Sequence, residues 1–113
     1  MGSFSRLPEF EKEFSRLAKK YPSLSEDFKK FEKLVLLNPL GIGANFAVTH
    51  RSPTVCIVKA RLACKSLRDR SLRVIYSHHQ EKLEFVYIEL YAKGGKANED
   101  QKRIKDYLKG IVK

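Results

Sequence analysis

The spacing of apolar residues changes once along the chain, and this change limits the folds that the sequence can adopt. In residues 10–21 and 24–35 apolar side chains recur at helical spacing; Phe10, Phe14 and Leu17 are an example. After residue 54 they alternate, which is typical of strands with two different faces. Helices and strands that are segregated in this way predict an α+β fold, with helices packed on one face of a sheet.

Two helices joined by a tight turn are predicted near the start, after a short edge strand over residues 4–7. Pro8 suits the first turn of the first helix, because its missing N–H has no partner there anyway. Ser23 and Glu26 have the spacing of a capping box at the start of the second helix. That helix is expected to end before Pro39, since the residue preceding a proline avoids helical conformation.

The rest of the chain predicts a loop, three strands and a short helix. The segment LGIGANFAVTHRSP is expected to be a loop with at most a short extended piece. Strands are predicted over residues 55–62, 72–78 and 83–92, with His78 and His79 at a hairpin tip. Asn98 is the expected N-cap of the last helix. The result is a small, antiparallel-rich sheet with two N-terminal helices on one face and a short C-terminal helix, in a single domain over residues 1–113.

Composition narrows the class of partner. The 113 residues carry a net charge of +10, and the excess lies after residue 37, where fifteen basic residues face seven acidic ones. Such a field favours nucleic acid, an anionic membrane or an acidic protein as partner. No apolar run reaches membrane-spanning length and the start lacks a signal peptide, so a cytoplasmic protein is expected. Cys56 and Cys64 match no metal-binding spacing and are expected to be small buried residues; no metal and no cofactor are predicted.

Alternation separates the charges of the first two long strands from their apolar residues. Lys59, Arg61 and Arg73 fall on one face. The apolar residues of these strands form the other face, which is expected to contact the helices: Cys56, Val58, Ala60, Leu62, Leu72, Val74 and Tyr76.

The third long strand is apolar on both faces, so alternation alone does not orient it. We expect Val86, Ile88 and Leu90 to face the helices. The charged face then carries Phe85, Tyr87, Glu89, Tyr91 and Lys93. Cations bind phosphates and aromatic rings stack on unpaired bases, so such a face predicts binding of single-stranded RNA. The alternative is a solvated sheet face whose aromatic residues only cover the sheet.

Three segments, IVKARLACKSLR, LRVIYSHHQEKLEFVYIELYAK and NEDQKRIKDYLK, follow the helical pair FEKEFSRLAKKYPSLSEDFKKFEKLVL. In this order they resemble the RelE/ParE superfamily of bacterial toxin–antitoxin toxins, over roughly residues 4–109. The resemblance implies a sheet with two helices on one face and a concave basic groove on the other. RelE-like members cut messenger RNA in the ribosomal A site, ParE-like members inhibit DNA gyrase, and an acidic antitoxin neutralises both.

The resemblance also implies roles for individual residues. Lys59 is similar to a strand lysine proposed as general base, and Arg73 to the arginine that holds the scissile phosphate. Lys93 takes the place of a cation after the last strand, and Arg61 that of a neighbouring basic residue. The family's tyrosine acid beyond that cation has no counterpart in GGKANED, so Tyr91 is the candidate to replace it.

Five further residues are predicted to bind RNA: Lys65, Arg68 and Arg70 in a turn between strands, with Phe85 and Tyr87 as stacking platforms. His50, His78 and His79 are alternative sources of a proton.

The leading hypothesis is therefore a toxin that arrests translation as a ribosome-dependent messenger RNA endoribonuclease, with an acidic antitoxin as partner. For Lys59 to act as base its pKa must be low, and repulsion from Arg61 and Arg73 is expected to lower it. The alternatives are a non-catalytic ParE-like gyrase inhibitor or inactive relative, and a simple RNA-binding module.

Overall fold

A computed structural model describes residues 3–39, 43–67, 71–92 and 98–111 of the chain, which form three helices and a five-stranded mixed sheet. The elements in chain order are β1 (Ser3–Arg6), α1 (Pro8–Lys20), α2 (Leu24–Leu37), β2 (Phe46–Arg51), β3 (Val55–Ala63), β4 (Ser71–His79), β5 (Glu84–Ala92) and α3 (Gln101–Ile111). The α+β class predicted from the sequence is confirmed. Within the described ranges no helix is both long and apolar enough to cross a membrane.

The sheet has the strand order β1-β5-β4-β3-β2. β1 runs parallel to β5 and the other three pairs are antiparallel, so the sheet is antiparallel-rich as predicted. The first edge strand, β1, lies where a short edge strand is expected. The second edge strand, β2, lies in the segment predicted to be mostly loop, and its pairing with β3 shows that this extended piece is six residues long.

Helices α1 and α2 pack on one face of the sheet, and aromatic residues fill the space between them. The Tyr87 ring lies 5.2 Å from the Phe10 ring and 4.8 Å from the Phe28 ring, and all three residues are buried. Burying side chains of this size stabilises the fold by roughly 1.5–3 kcal/mol each. The apolar set predicted for β3 and β4 lies in this core, as do both cysteines, which are free and buried.

The opposite face of the sheet is covered in part by α3, which corrects the expectation of an open face. Ile57, Ile75, Ile88 and Tyr91 of the sheet form a second core with Ile104 of α3. Every one of these residues is at most 5% exposed. The charged residues of this face therefore lie beside a helix that leaves only part of the sheet to solvent.

Two predicted helix starts differ from the structure. Ser23 precedes α2 but makes no capping hydrogen bond; its hydroxyl donates to Asp27 Oδ2 at 2.7 Å instead. The hydroxyl is held there because it also accepts the backbone N–H of Ser66 at 3.0 Å. At α3 the cap is Asp100 rather than Asn98, since the Asp100 carboxylate accepts the N–H of Arg103 at 3.0 Å.

The predicted orientation of β5 is wrong over its first half. The pairing of β4 with β5 slips between Ile75 and Tyr76, so that Ile75 lies opposite Glu89 while Tyr76 lies opposite Tyr87. Ile88 is the extra residue of this bulge, and one extra residue reverses which face the neighbouring side chains take. Phe85 and Tyr87 therefore point into the helix-side core and are 0% exposed.

Candidate active site

Cationic side chains of β3 and β4 share the face of the sheet that carries α3. Arg61 lies directly opposite Arg73, and Arg73 lies directly opposite Tyr91 on β5. The next row along the strands holds Lys59, opposite Ile75. Adjacent strands are about 4.8 Å apart and cross-strand partners point to the same face, so these side chains form two neighbouring rows. We call Lys59, Arg61 and Arg73 the cationic patch.

The pair Arg61 and Arg73 is the most unusual feature of the patch. Like charges directly opposite each other on antiparallel strands are unfavourable, so packing alone gives no reason for two arginines here. Arg61 is exposed, whereas Arg73 is 8% exposed. The Arg73 Nη1 donates to the Ser71 hydroxyl at 2.5 Å and to the Ser71 carbonyl at 3.3 Å. Ser71 thus fixes one end of the guanidinium, while the rest of that group adds to a local positive field that an anion can neutralise.

Lys59 is held by an acidic residue that precedes α3. Its Nζ donates to Glu99 Oε1 at 3.0 Å, with the two side chains 28% and 10% exposed. Burial lowers the pKa of Lys59, but the hydrogen bond to Glu99 and the proximity of Tyr91 outweigh it, so the pKa lies above 10.5. The expectation that neighbouring arginines lower this pKa is wrong for this arrangement. Lys59 is an ammonium group here and cannot accept a proton.

Tyr91 keeps its proton. The residue is 4% exposed, and burial raises the pKa of its phenol, with the charge of Lys59 acting in the opposite direction. The phenol thus retains the proton that the predicted role of donor requires, while its hydroxyl oxygen is buried in this structure.

The segment before α3 and the helix itself are fixed to the sheet by polar contacts. Buried Glu89 accepts the backbone N–H of Asp100 at 2.7 Å. Arg103 binds both carboxylate oxygens of Glu13 on α1 at 3.0 Å and donates to the Ile88 carbonyl at 2.9 Å. These contacts keep Glu99 next to Lys59.

A second polar cluster on this face joins three residues that sequence reasoning did not link. The Tyr107 hydroxyl lies 2.6 Å from Ser77 Oγ and 2.6 Å from His79 Nε2. Ser77 is four residues from Arg73 along β4, which corresponds to about 13 Å. Ser77 lies opposite Ile57, one row beyond Lys59, so the cluster anchors α3 near the Lys59 end of the patch and away from the two arginines.

Of the other predicted site residues, Lys65, Phe85 and Tyr87 lie in the described part of the chain. Lys65 is exposed and follows β3, where its N–H donates to Asp27 at 2.9 Å. Phe85 and Tyr87 are core residues, so neither can stack on a base. Lys93, Arg68 and Arg70 lie outside the described residues.

The histidines are also separated from the patch. His50 is exposed on edge strand β2. His78 and His79 lie within β4 rather than at its turn. His78 is 3% exposed, its ring stacks on Phe85 at 4.8 Å, and burial lowers its pKa.

Sequence reasoning placed Glu89 on the charged face but missed Glu99 as part of the site. Glu89 carried a signal, since an acidic residue on the same face as three cations is a candidate partner for one of them. Glu99 carried none beyond its charge, because its contact with Lys59 spans 40 residues. Within the described residues no group of three or more histidine, cysteine, aspartate or glutamate side chains could hold a metal ion.

Comparisons with known proteins agree with this architecture. The fold is similar to the crystal structure of the archaeal RelE–RelB complex from Pyrococcus horikoshii OT3, with a TM-score of 0.62 and 18% sequence identity. The match covers 81% of this chain and 94% of that one. No protein-family model matches the chain, and neither does any curated protein. The three helices and five-stranded mixed sheet are consistent with a RelE-like fold.

Proposed function

We propose that this protein is the toxin of a type II toxin–antitoxin system and acts as a ribosome-dependent messenger RNA endoribonuclease. The observation that carries the proposal is the placement of Arg61 directly opposite Arg73, with Lys59 in the next row, on one face of a RelE-like sheet. The solved neighbour is a RelE–RelB complex, which supports an antitoxin as partner. Messenger RNA and the ribosome are the other partners, and the cytoplasm is the site of action.

The proposed reaction is attack of a ribose 2′-oxygen on the adjacent phosphorus, with loss of the 5′-oxygen. Arg73 and Arg61 hold the phosphate oxygens and stabilise the charge that develops on them, a contribution of roughly 10²–10³-fold per group in rate. Tyr91 gives its proton to the departing 5′-oxygen. The products are a 2′,3′-cyclic phosphate and a 5′-hydroxyl.

Lys59 serves as base only after Glu99 leaves it. Without that carboxylate, burial and repulsion from the two arginines both lower the pKa of Lys59, and the neutral amine can then take the 2′-hydroxyl proton. The phosphate chain of the RNA competes with Glu99 for the patch, which couples substrate binding to release of the base. Lys93 is proposed as a further phosphate contact, and Lys65, Arg68 and Arg70 as contacts to more distant phosphates.

Mapping of messenger RNA 5′ ends after induced expression in a bacterial host tests this function. The wild type is expected to create new ends within translated regions. Arg73→Ala is expected to lower their frequency about 10²–10³-fold, because it removes the phosphate contact. Arg51→Ala, which removes an exposed strand arginine outside the patch, is the matched control and should cleave like the wild type. Equal cleavage by the wild type and Arg73→Ala contradicts the assignment.

One observation favours a second candidate, a non-catalytic ParE-like gyrase inhibitor. Lys59 is an ammonium group in this structure, so the patch as it stands binds anions without offering a base. Inhibition of gyrase supercoiling by the purified protein, without new messenger RNA ends in cells, identifies this function. Salt-sensitive RNA binding without growth arrest identifies a simple RNA-binding module instead.

A further inference from the structure

A pocket beside α2 has an apolar floor. It has a volume of about 560 Å³ and lies between α2, the end of β3 and the start of β4. Phe31 and Leu34 of α2 line it from one side, and Leu62 and Leu67 from the other. Phe31 and Leu62 belong to the helix-side core, so the pocket opens directly onto that core.

The rim of this pocket continues into exposed leucines at the end of α2. Leu34 is 55% exposed and Leu37 is 83% exposed, and their spacing places them on the same side of the helix. Single exposed leucines are ordinary, but leucines that extend an apolar pocket form a continuous surface of the kind that binds another protein. Leu36 is 42% exposed on the same helix but does not line the pocket.

The charge around the pocket is positive. Lys30, Lys65 and Arg61 of the cationic patch all line it, and all three are exposed. The acid in the lining, Asp27, is 5% exposed and already accepts the Ser23 hydroxyl at 2.7 Å and the Lys65 N–H at 2.9 Å. A ligand therefore meets two accessible ammonium groups and one accessible guanidinium beside an aliphatic surface.

We infer that this pocket and the adjoining leucines of α2 are a docking surface for an acidic amphipathic segment of a partner protein. The apolar side chains of that segment cover Leu34 and enter the pocket, while its carboxylates pair with Lys30 and Lys65. The inference rests on the proposed function for the identity of the partner, which is then the antitoxin.

Two other occupants fit the observations less well. RNA bases stack on accessible aromatic rings, but the accessible side chains here are aliphatic and Phe31 is 2% exposed. A second copy of this chain also carries a charge of +10, and repulsion between the two copies opposes their association.

Fluorescence anisotropy with a labelled synthetic peptide tests the inference. The probe is a peptide of about 18 residues, five helical turns, with leucine along one face and glutamate and glutamine elsewhere. Leu34→Glu and Lys30→Glu are each expected to weaken its binding by about tenfold or more, since each removes one half of the complementarity. Leu36→Glu and Lys29→Glu are the matched controls on the same helix and should bind like the wild type. Circular dichroism of each variant confirms that it is folded.

Several outcomes overturn the inference. The first is that the peptide does not bind, and the second is that Leu34→Glu binds it as tightly as the wild type does. The third is that a scrambled peptide of the same composition binds equally well, which would mean that charge alone drives binding. Sedimentation that shows a dimer lost in Leu34→Glu assigns the surface to a second copy. If a single-stranded RNA displaces the peptide from the wild type and binds Leu34→Glu more weakly, the surface is assigned to RNA.

The mapping of messenger RNA ends separates failure of this inference from failure of the proposed function. Leu34→Ala, which adds no carboxylate to a pocket that Arg61 also lines, is expected to cleave as the wild type does, because Leu34 is not part of the cationic patch. Peptide binding without messenger RNA cleavage retains the docking surface and removes the nuclease, whereas cleavage without peptide binding does the reverse.

Discussion

The ion pair between Lys59 and Glu99 predicts a measurable loss of stability when its charge is removed. Glu99→Gln keeps the shape of the side chain and an acceptor oxygen but removes the negative charge. A charge-assisted hydrogen bond exceeds a neutral one by about 1 kcal/mol, and an acid before a helix contributes about 0.3–1 kcal/mol more. Because the Lys59 side chain is 28% exposed, solvent screens part of this interaction, and we expect the free energy of unfolding to fall by about 1–2 kcal/mol in total.

Thermal unfolding at pH 7 measures this loss. A loss of 1 kcal/mol corresponds to about 4 °C for a domain of this size, so Glu99→Gln should melt about 4–8 °C below the wild type. Glu81→Gln, in the exposed turn after β4, is the matched control and should melt with the wild type. Equal melting temperatures for Glu99→Gln and Glu81→Gln would refute the ion pair.

The same ion pair predicts how the stability of the protein changes with pH in acid and in base. Lys59 and other contacts lower the pKa of Glu99 despite its burial, so its stabilisation is present above pH 4.5 and is lost as pH falls through the lowered pKa. The pKa of Lys59 is raised, so its stabilisation is present below pH 10.5 and is lost as pH rises through the raised pKa. The difference in stability between the wild type and Glu99→Gln should therefore disappear in acid and in strong base.

Three further variants test other parts of the structure by urea unfolding and RNA binding. Arg103→Ala should lower the free energy of unfolding by about 2–4 kcal/mol, because it leaves partly buried Glu13 without its bidentate partner. The double variant with Glu13→Ala should lose less stability than the sum of the two single variants, and additive losses would contradict the pairing. Asp27→Asn should lower the free energy of unfolding by about 1–2 kcal/mol at pH 7, and this loss should vanish as pH falls through the pKa of Asp27, which lies below 3.8. A stability difference between variant and wild type that stays constant over pH would contradict this prediction. Phe85→Leu should lose about 1–3 kcal/mol of stability but no RNA affinity, because the ring is a core residue; weaker RNA binding at equal stability reverses that placement.

The parts of the fold that were predictable from the sequence are those where local spacing decides the outcome. Helices α1 and α2 each carry an apolar stripe, and alternation in β3 and β4 gives one apolar face. Lys59 and Arg73 could therefore be assigned to the face opposite α1 and α2. Alternation does not give the pairing of the two strands, so the direct opposition of Arg61 and Arg73 was visible only in the structure.

The parts that were missed depend on distant contacts or on a break in alternation. β5 reads FVYIELY and is apolar on both faces, so nothing in its pattern marks the extra residue at Ile88. The Glu99 contact joins segments 40 residues apart, and the pattern of α3 gives an apolar side without saying which surface it covers. The predicted direction of the pKa shift of Lys59 was wrong for this reason, because the prediction included its cationic neighbours but not the carboxylate of Glu99.

The pair of Glu13 and Arg103 has a consequence for the behaviour of the protein at high concentration. β1 ends at Arg6 and pairs with β5 only as far as Tyr87, so among the described residues no strand borders the outer edge of β5 beyond that point. Glu13 accepts the N–H of Leu90 at 3.0 Å, and Arg103 donates to the carbonyl of Ile88. Two side chains thus occupy the backbone groups that another chain would use to extend the sheet. Loss of either one exposes an apolar strand edge, the usual starting point of aggregation.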